Sequence, residues 1–280
     1  MNGLSTITLQ DINIVIPQRG LPFLRLGALS NLQRIYLEWK KPYYALPTDL
    51  SSELAKLIGR CPNLSCLEVN ARGMHFSHFF QSTLPHHSLE QLSLIEVEVS
   101  PEHVTQCLHR LQQLKTFGLR RNVLYFESDS GRVTQNLSNG EIWSIFEKRK
   151  IELKGIITDS VHDDSLTSYL SSYQGLERLI LYLGKPLAAP VEPDHLLVSR
   201  VFRALAIHHA DSLLELDLLA ETSADEEAFW PFQEEILNLL PAFANLRGLG
   251  VTDWGATSFQ SVSAVQESIV SIHIRSDHPS

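Results

Sequence analysis

Twelve histidines in 280 residues raise the question of metal binding first. His75-x-x-His78, followed by the pair His86-His87, could gather imidazoles at one end of a structural unit. The cysteines that would complete a structural zinc site, Cys61, Cys66 and Cys107, do not stand at finger-like spacing. The histidine segment therefore reads as a solvated loop with packed aromatics Phe76, Phe79 and Phe80, and no metal ligand is assigned. Cys61 is expected to be buried as a small hydrophobe, the usual fate of a free thiol. His208-His209 falls at the end of a helical stretch, where imidazoles complement the last carbonyls. Asp159, Asp163 and Asp164 could hold a cation, yet they precede a helix starting near Ser165, so their expected role is capping.

Other reactive arrangements fail on spacing. Gly248-x-Gly250 followed by Gly255 does not match the dinucleotide fingerprint, and Gly250 falls inside an apolar alternation rather than after it. Glu226, Glu227, Glu234 and Glu235 read as a first helical turn and a solvated helix face, not as an acid-base pair. No Walker loop, nucleophile elbow or His-Glu-x-x-His motif occurs. The expectation is a non-catalytic chain with no catalytic residue and no cofactor.

Composition narrows the class further. With 44% hydrophobic and 20% charged residues, the chain has the makeup of a folded domain rather than a disordered one. A net charge of -9 argues against phosphate neutralisation, hence against a nucleic-acid partner. Three cysteines form no disulfide framework and suit a reducing compartment, cytoplasmic or nuclear. The start lacks the basic and apolar regions of a secretion signal. The apolar stretch from Leu196 to Ile207 is interrupted by Arg200 and Arg203 and is too short to span a bilayer, so no membrane partner is expected.

The elements that must position any functional side chain come from a repeat. The unit L-x-x-L-x-L occurs as Leu4-Ile7-Leu9, Leu32-Ile35-Leu37, Leu64-Leu67-Val69, Leu89-Leu92-Leu94 and Leu114-Phe117-Leu119. It returns as Leu176-Leu179-Leu181, Leu213-Leu216-Leu218, Leu246-Leu249-Val251 and Ile269-Ile272-Ile274, with a weaker copy at Leu153-Ile156-Thr158. Successive copies begin 23 to 39 residues apart. The last two apolar positions are two apart and face one side of a strand. Between copies lie helical spacings such as Val104-Cys107-Leu108-Leu111, Leu166-Tyr169-Leu170 and Val198-Val201-Phe202-Leu205. Ser100-Pro101-Glu102 and Ser223-x-x-Glu226 supply helix starts, and Leu46-Pro47-Thr48-Asp49-Leu50 reads as another. The stretches Arg121 to Gly140 and Gly184 to Asp194 read as inserted loops, the first from its Ser, Asn, Asp and Gly content.

Strand and helix alternating at this period predict an α/β leucine-rich-repeat solenoid, an irregular horseshoe or arc with nine to ten repeats in one domain over 1–280. The parallel sheet would line the concave face and the helices the convex one.

The units Cys61-Pro62-Asn63-Leu64-Ser65-Cys66-Leu67-Glu68-Val69, Gly175-Leu176-Glu177-Arg178-Leu179-Ile180-Leu181 and Ser212-Leu213-Leu214-Glu215-Leu216-Asp217-Leu218 resemble the irregular repeats of F-box/leucine-rich-repeat proteins, especially divergent fungal ones. The resemblance covers nearly the whole chain as a repeat pattern. It implies a protein-protein interaction module, the substrate-recognition part of an F-box-like ubiquitin-ligase adaptor. No F-box segment is read ahead of the first repeat, so a ligase scaffold is an expected partner only if an F-box is supplied elsewhere. The alternatives are a repeat-only scaffold unrelated to ubiquitination and an enzyme whose site is dispersed over the repeats.

The face expected to bind a protein consists of strand residues alternating with the buried ones. Those assigned to it are Arg34, Tyr36, Glu38, Glu68, Arg120, Arg178, Tyr182, Asp217 and His273. Cys66, Asn70, Gln91, Ser93, Ile95, Thr116, Gly118, Ile180, Glu215, Leu219, Ser271 and Arg275 fall on the same face by register, and a monomer is expected.

Overall fold

A strand paired in parallel to its successor needs a crossover long enough to return the chain, and a helix is the usual one. That arithmetic is visible throughout the computed structural model, which describes residues 11–16, 32–39, 55–77, 89–120, 123–128, 131–136, 139–160, 163–183, 194–220, 238–252 and 271–275. The strands are β1 (Asp11–Ile16), β2 (Arg34–Trp39), β3 (Cys66–His75), β4 (Gln91–Glu98), β5 (Thr116–Arg120) and β6 (Val123–Ser128). They continue with β7 (Gly131–Asn136), β8 (Gly155–Thr158), β9 (Arg178–Leu183), β10 (Glu215–Ala220), β11 (Gly248–Thr252) and β12 (Ser271–Arg275). Helices α1 (Pro101–Cys107), α2 (Gly140–Lys148), α3 (Asp164–Ser171) and α4 (Asp194–His208) lie between strands, so the chain is an α/β protein.

Two compact units result. The first is Met1–Leu114 with Arg121–Leu137, the second Lys115–Arg120 with Ser138–Ser280. In the first, β1 to β4 pair in parallel in chain order, and β6 and β7 form an antiparallel hairpin. In the second, β5, β8, β9, β10, β11 and β12 pair in parallel in that order. There α3 packs against both α2 and α4.

The apolar motif positions stack strand on strand. Ile35 is in register with Leu67, and Leu67 with Leu92. In the second unit Phe117, Ile156, Leu179, Leu216 and Leu249 form one ladder, each at most 1% exposed. Removing such a side chain from water stabilises by about 1.5–3 kcal/mol. The second motif residue has its own role, because its carbonyl accepts two amides from the next copy. Gln33 takes those of Ser65 and Cys66, Lys154 those of Glu177 and Arg178, Glu177 those of Leu214 and Glu215, and Leu214 those of Arg247 and Gly248. Side chains add further rungs, with Ser65 Oγ donating to Gln33 O, Ser212 Oγ to Leu176 O and Asn245 Nδ2 to Asp211 O.

Aromatic residues fill the layer between sheet and helices of the second unit. Trp143 stacks on Tyr169 with centroids 5.6 Å apart, and Phe117 meets Phe146 edge-on at 5.0 Å. Tyr169 resolves its polarity by donating to Ile151 O at 2.6 Å and accepting from the Leu153 amide. Burial holds the phenols of Tyr169 and Tyr173 well above the ordinary range.

Several local readings find their structural counterpart. Ser100 caps α1, accepting from the His103 amide at 3.2 Å. Asp163 caps α3 by accepting from the Ser165 amide at 2.9 Å, and Asp164 sits in the first turn. Cys61, Cys66 and Cys107 are buried, and none of the three forms a disulfide. The weak copy at 153–158 is strand β8, with Thr158 in register with Leu119 and Leu181. Its extra hydroxyl is satisfied by Ser160 at 3.0 Å, which is how a threonine holds an aliphatic position.

Three features differ from expectation. The strand beside β2 is Asp11–Ile16, which aligns Ile12 with Ile35 and Ile14 with Leu37, whereas the Leu4-Ile7-Leu9 copy lies outside the described residues. The segment read as a loop from Arg121 contains the β6–β7 hairpin. Its Val-Leu-Tyr-Phe run has the residue types strands favour, and a two-residue link before Gly131 suits a tight hairpin. Helix α2 went unanticipated, although Ile142, Trp143 and Phe146 at helical spacing are all fully buried. The loop reading of 184–194 and the helix starts at 46–50 and 223–226 fall outside the described residues.

Candidate protein-binding face

Strand alternation puts the even-numbered residues of β2 opposite its buried ones. Arg34 is exposed, and Tyr36 and Glu38 are half-buried. Across the ladder Arg34 lies beside Cys66, Tyr36 beside Glu68, and Glu38 beside Asn70. Burial, and then the neighbouring Cys66 thiol, push the Tyr36 hydroxyl above its ordinary range, while Arg34 acts in the opposite direction. The first unit thus brings Arg34, Tyr36, Glu38 and Glu68 onto two adjacent strands.

In the second unit, Arg178 on β9 pairs with Glu215 on β10 at 2.9 Å. Both side chains are about half exposed, so the pair contributes at most about 1 kcal/mol and mainly fixes the guanidinium direction. Beside it, Lys154 pairs with Glu177 at 3.2 Å and donates to Gly175 O at 3.1 Å. One row further along the strands, Asp217 lies between Ile180 and Gly250. Its carboxylate lies over the Gly250 Cα, in space that a Cβ there would occupy. A row beyond, the Arg120 guanidinium sits 3.1 Å from the centre of the Tyr182 ring. Strand β8 ends at Thr158, one residue short of this row. His273 is placed by register beside Gly250.

Nothing in this arrangement positions a nucleophile against a base. In the second unit it offers cations paired with neighbours, the Tyr182 ring and the carboxylates of Glu177, Glu215 and Asp217, which is chemistry for recognition. Comparison with protein-family models finds no match, and comparison with curated proteins finds none either. The function must therefore be argued from the face itself.

Five residues assigned to this face by register are corrected to buried positions: Cys66, Ser93, Gly118, Ile180 and Leu219. Ile180 and Leu219 are 5% and 6% exposed, Ile180 lying in register between Ile157 and Asp217 and Leu219 beside Tyr182. Alternation gives the side of the sheet a residue is on and does not give its depth.

The histidine candidates separate. His75 pairs with Glu98 at 2.9 Å across β3 and β4, while His78, His86 and His87 lie outside the described residues. Among the described residues, no group of three or more His, Cys, Asp or Glu is placed to hold a metal ion. No helix among them is long and apolar enough to cross a membrane.

His209 departs most from its sequence reading. It does not cap its own helix. Its Nε2 lies 2.8 Å from the Leu170 carbonyl of α3, and its Nδ1 accepts from the Leu176 amide at 3.1 Å. The imidazole therefore caps the preceding helix and anchors the start of the preceding strand. A signal was available, since Cys61, Leu111, Tyr173 and Phe243 stand three residues before a motif leucine and all are buried, while His209 stands four before Leu213.

Proposed function

We propose that the chain is a leucine-rich-repeat solenoid that binds another protein through strand faces carrying Arg34, Tyr36, Glu38 and Glu68 in the first unit and Arg120, Arg178, Tyr182, Asp217 and His273 in the second. It acts without catalysis, in the cytoplasm or nucleus, as a substrate-recognition module of the F-box-like type or as a scaffold of the same build. The observation that carries this reading is the ladder of motif positions. The L-x-x-L-x-L leucines of successive copies lie side by side, and the second residue of one copy receives two amides of the next.

A ladder of this kind turns alternate residues of each strand to the opposite side of the sheet, where those that stay exposed are open to a partner, and arginine and tyrosine are favoured anchors at protein interfaces. Charge reversal tests the assignment: Arg34→Glu, Arg120→Glu and Arg178→Glu should each weaken capture of protein partners from lysate at least tenfold while moving the melting temperature by only a few degrees. Undiminished capture by all three variants would remove the face from consideration. Recovery of a ubiquitin-ligase scaffold subunit with the wild-type chain supports the adaptor form, and partners without that scaffold support the repeat-only form.

A further inference from the structure

Among the described residues, Cys61, Leu111, Tyr173 and Phe243 stand at the turn before a motif strand and are buried. His209 occupies the corresponding turn before β10. It is 1% exposed and makes two directional hydrogen bonds.

The two bonds define its protonation state. Nδ1 accepts the Leu176 N–H at 3.1 Å and so carries no proton, and Nε2 must then carry one to donate to Leu170 O at 2.8 Å. The ring is neutral in this geometry. Adding a proton at Nδ1 would set one donor against another and would place a charge where water cannot reach it.

The surroundings offer that charge little compensation. The Tyr173 ring faces the imidazole edge-on, with centroids 4.9 Å apart, from the loop after α3. On its own side, the His208 ring is 6.5 Å away and would repel it when protonated. The Leu170 carbonyl favours a cation, but burial outweighs it and holds the imidazole below its ordinary value of 6.5.

We propose that His209 is an acid-sensitive staple, holding the α3–β9 turn to the α4–β10 turn when neutral and releasing it when protonated. The sign follows from linkage. A depressed folded value means that the unfolded chain binds the proton first, so the contribution is complete above about pH 6.5 and is lost as pH falls below it. The limiting effect of one such group is a tenfold fall in the folding equilibrium constant per pH unit.

The test compares the wild-type chain with His209→Gln, whose amide can accept from Leu176 and donate to Leu170 without titrating. Melting temperatures measured from pH 8 to pH 5 should fall more steeply for the wild type, so that any advantage it holds at pH 8 shrinks or reverses by pH 5. Contributions from the other histidines are common to both curves and cancel. Parallel curves would overturn the proposal. If the variant does not fold at pH 8, nitrogen chemical shifts of the His209 ring in the wild type decide the matter. A neutral Nε2–H tautomer persisting below pH 6 supports the staple, and titration at or above pH 6.5 contradicts it.

Discussion

Arg120 on β5 and Tyr182 on β9 touch although β8 is the strand between them, with the guanidinium 3.1 Å from the ring centre. Strand β8 itself ends at Thr158. The contact presents a flat aromatic edge and a positive charge together at one end of the second unit's strands. A half-exposed cation–aromatic pair contributes about 0.5–1 kcal/mol to folding. Tyr182→Ala should therefore lower stability by no more than about 1 kcal/mol, while reducing partner capture by an order of magnitude. Thermal melts beside a capture assay give both numbers.

Gly250 gives a second way to separate recognition from stability. A Cβ there meets the carboxylate of Asp217, the far end of a side chain that can turn away. Gly250→Ala should lower stability by under about 1 kcal/mol while moving Asp217 and changing capture. A loss of several kcal/mol in chemical denaturation would show instead that the backbone, not the carboxylate, fills that space.

The stacked leucines answer differently. Leu179 and Leu216 are in register and fully buried, so Leu179→Ala or Leu216→Ala should lower stability by about 2–5 kcal/mol. Ile207 on α4 is 72% exposed, and Ile207→Ser should stay within about 0.5 kcal/mol. Urea denaturation of these three variants distinguishes the ladder from the helix surface.

How far the sequence disclosed the fold depended on what each residue does. The ladder was legible at Leu176, Leu179 and Leu181 because a strand with one buried face must repeat its apolar residues two apart. Caps at Ser100 and Asp163 were legible because their side chains act within three residues of themselves. The β6–β7 hairpin was obscured by the Ser, Asn, Asp and Gly that surround its strands. His209 was misread because its partners, Leu170 and Leu176, lie more than thirty residues earlier, and no local rule reaches that far. The candidate face was legible as a list of alternating positions, while the pairing of Arg178 with Glu215 and the seating of Asp217 over Gly250 needed the register.

Lys150 carries backbone strain that can be relieved. Its φ is 52°, in the left-handed region that disfavours residues with a Cβ. The turn that imposes it closes α2 through the Ile151 amide on Phe146 O at 3.0 Å and the Lys150 amide on Glu147 O at 3.1 Å. Glycine is the usual residue at this position of such a cap. Lys150→Gly should raise stability by about 0.5–1 kcal/mol, read as a higher urea midpoint with an unchanged slope. A lower midpoint would mean that the lysine side chain contributes more than the strain costs.

The strand face, not the helical layer, is where the proposed partner docks. A photo-reactive phenylalanine analogue placed at Tyr182 in one sample and at Ile207 in another, each with captured partner present, distinguishes the two surfaces. A covalent adduct is expected from position 182 and none from position 207. An adduct from position 207 with none from position 182 would rule out docking on the strand face.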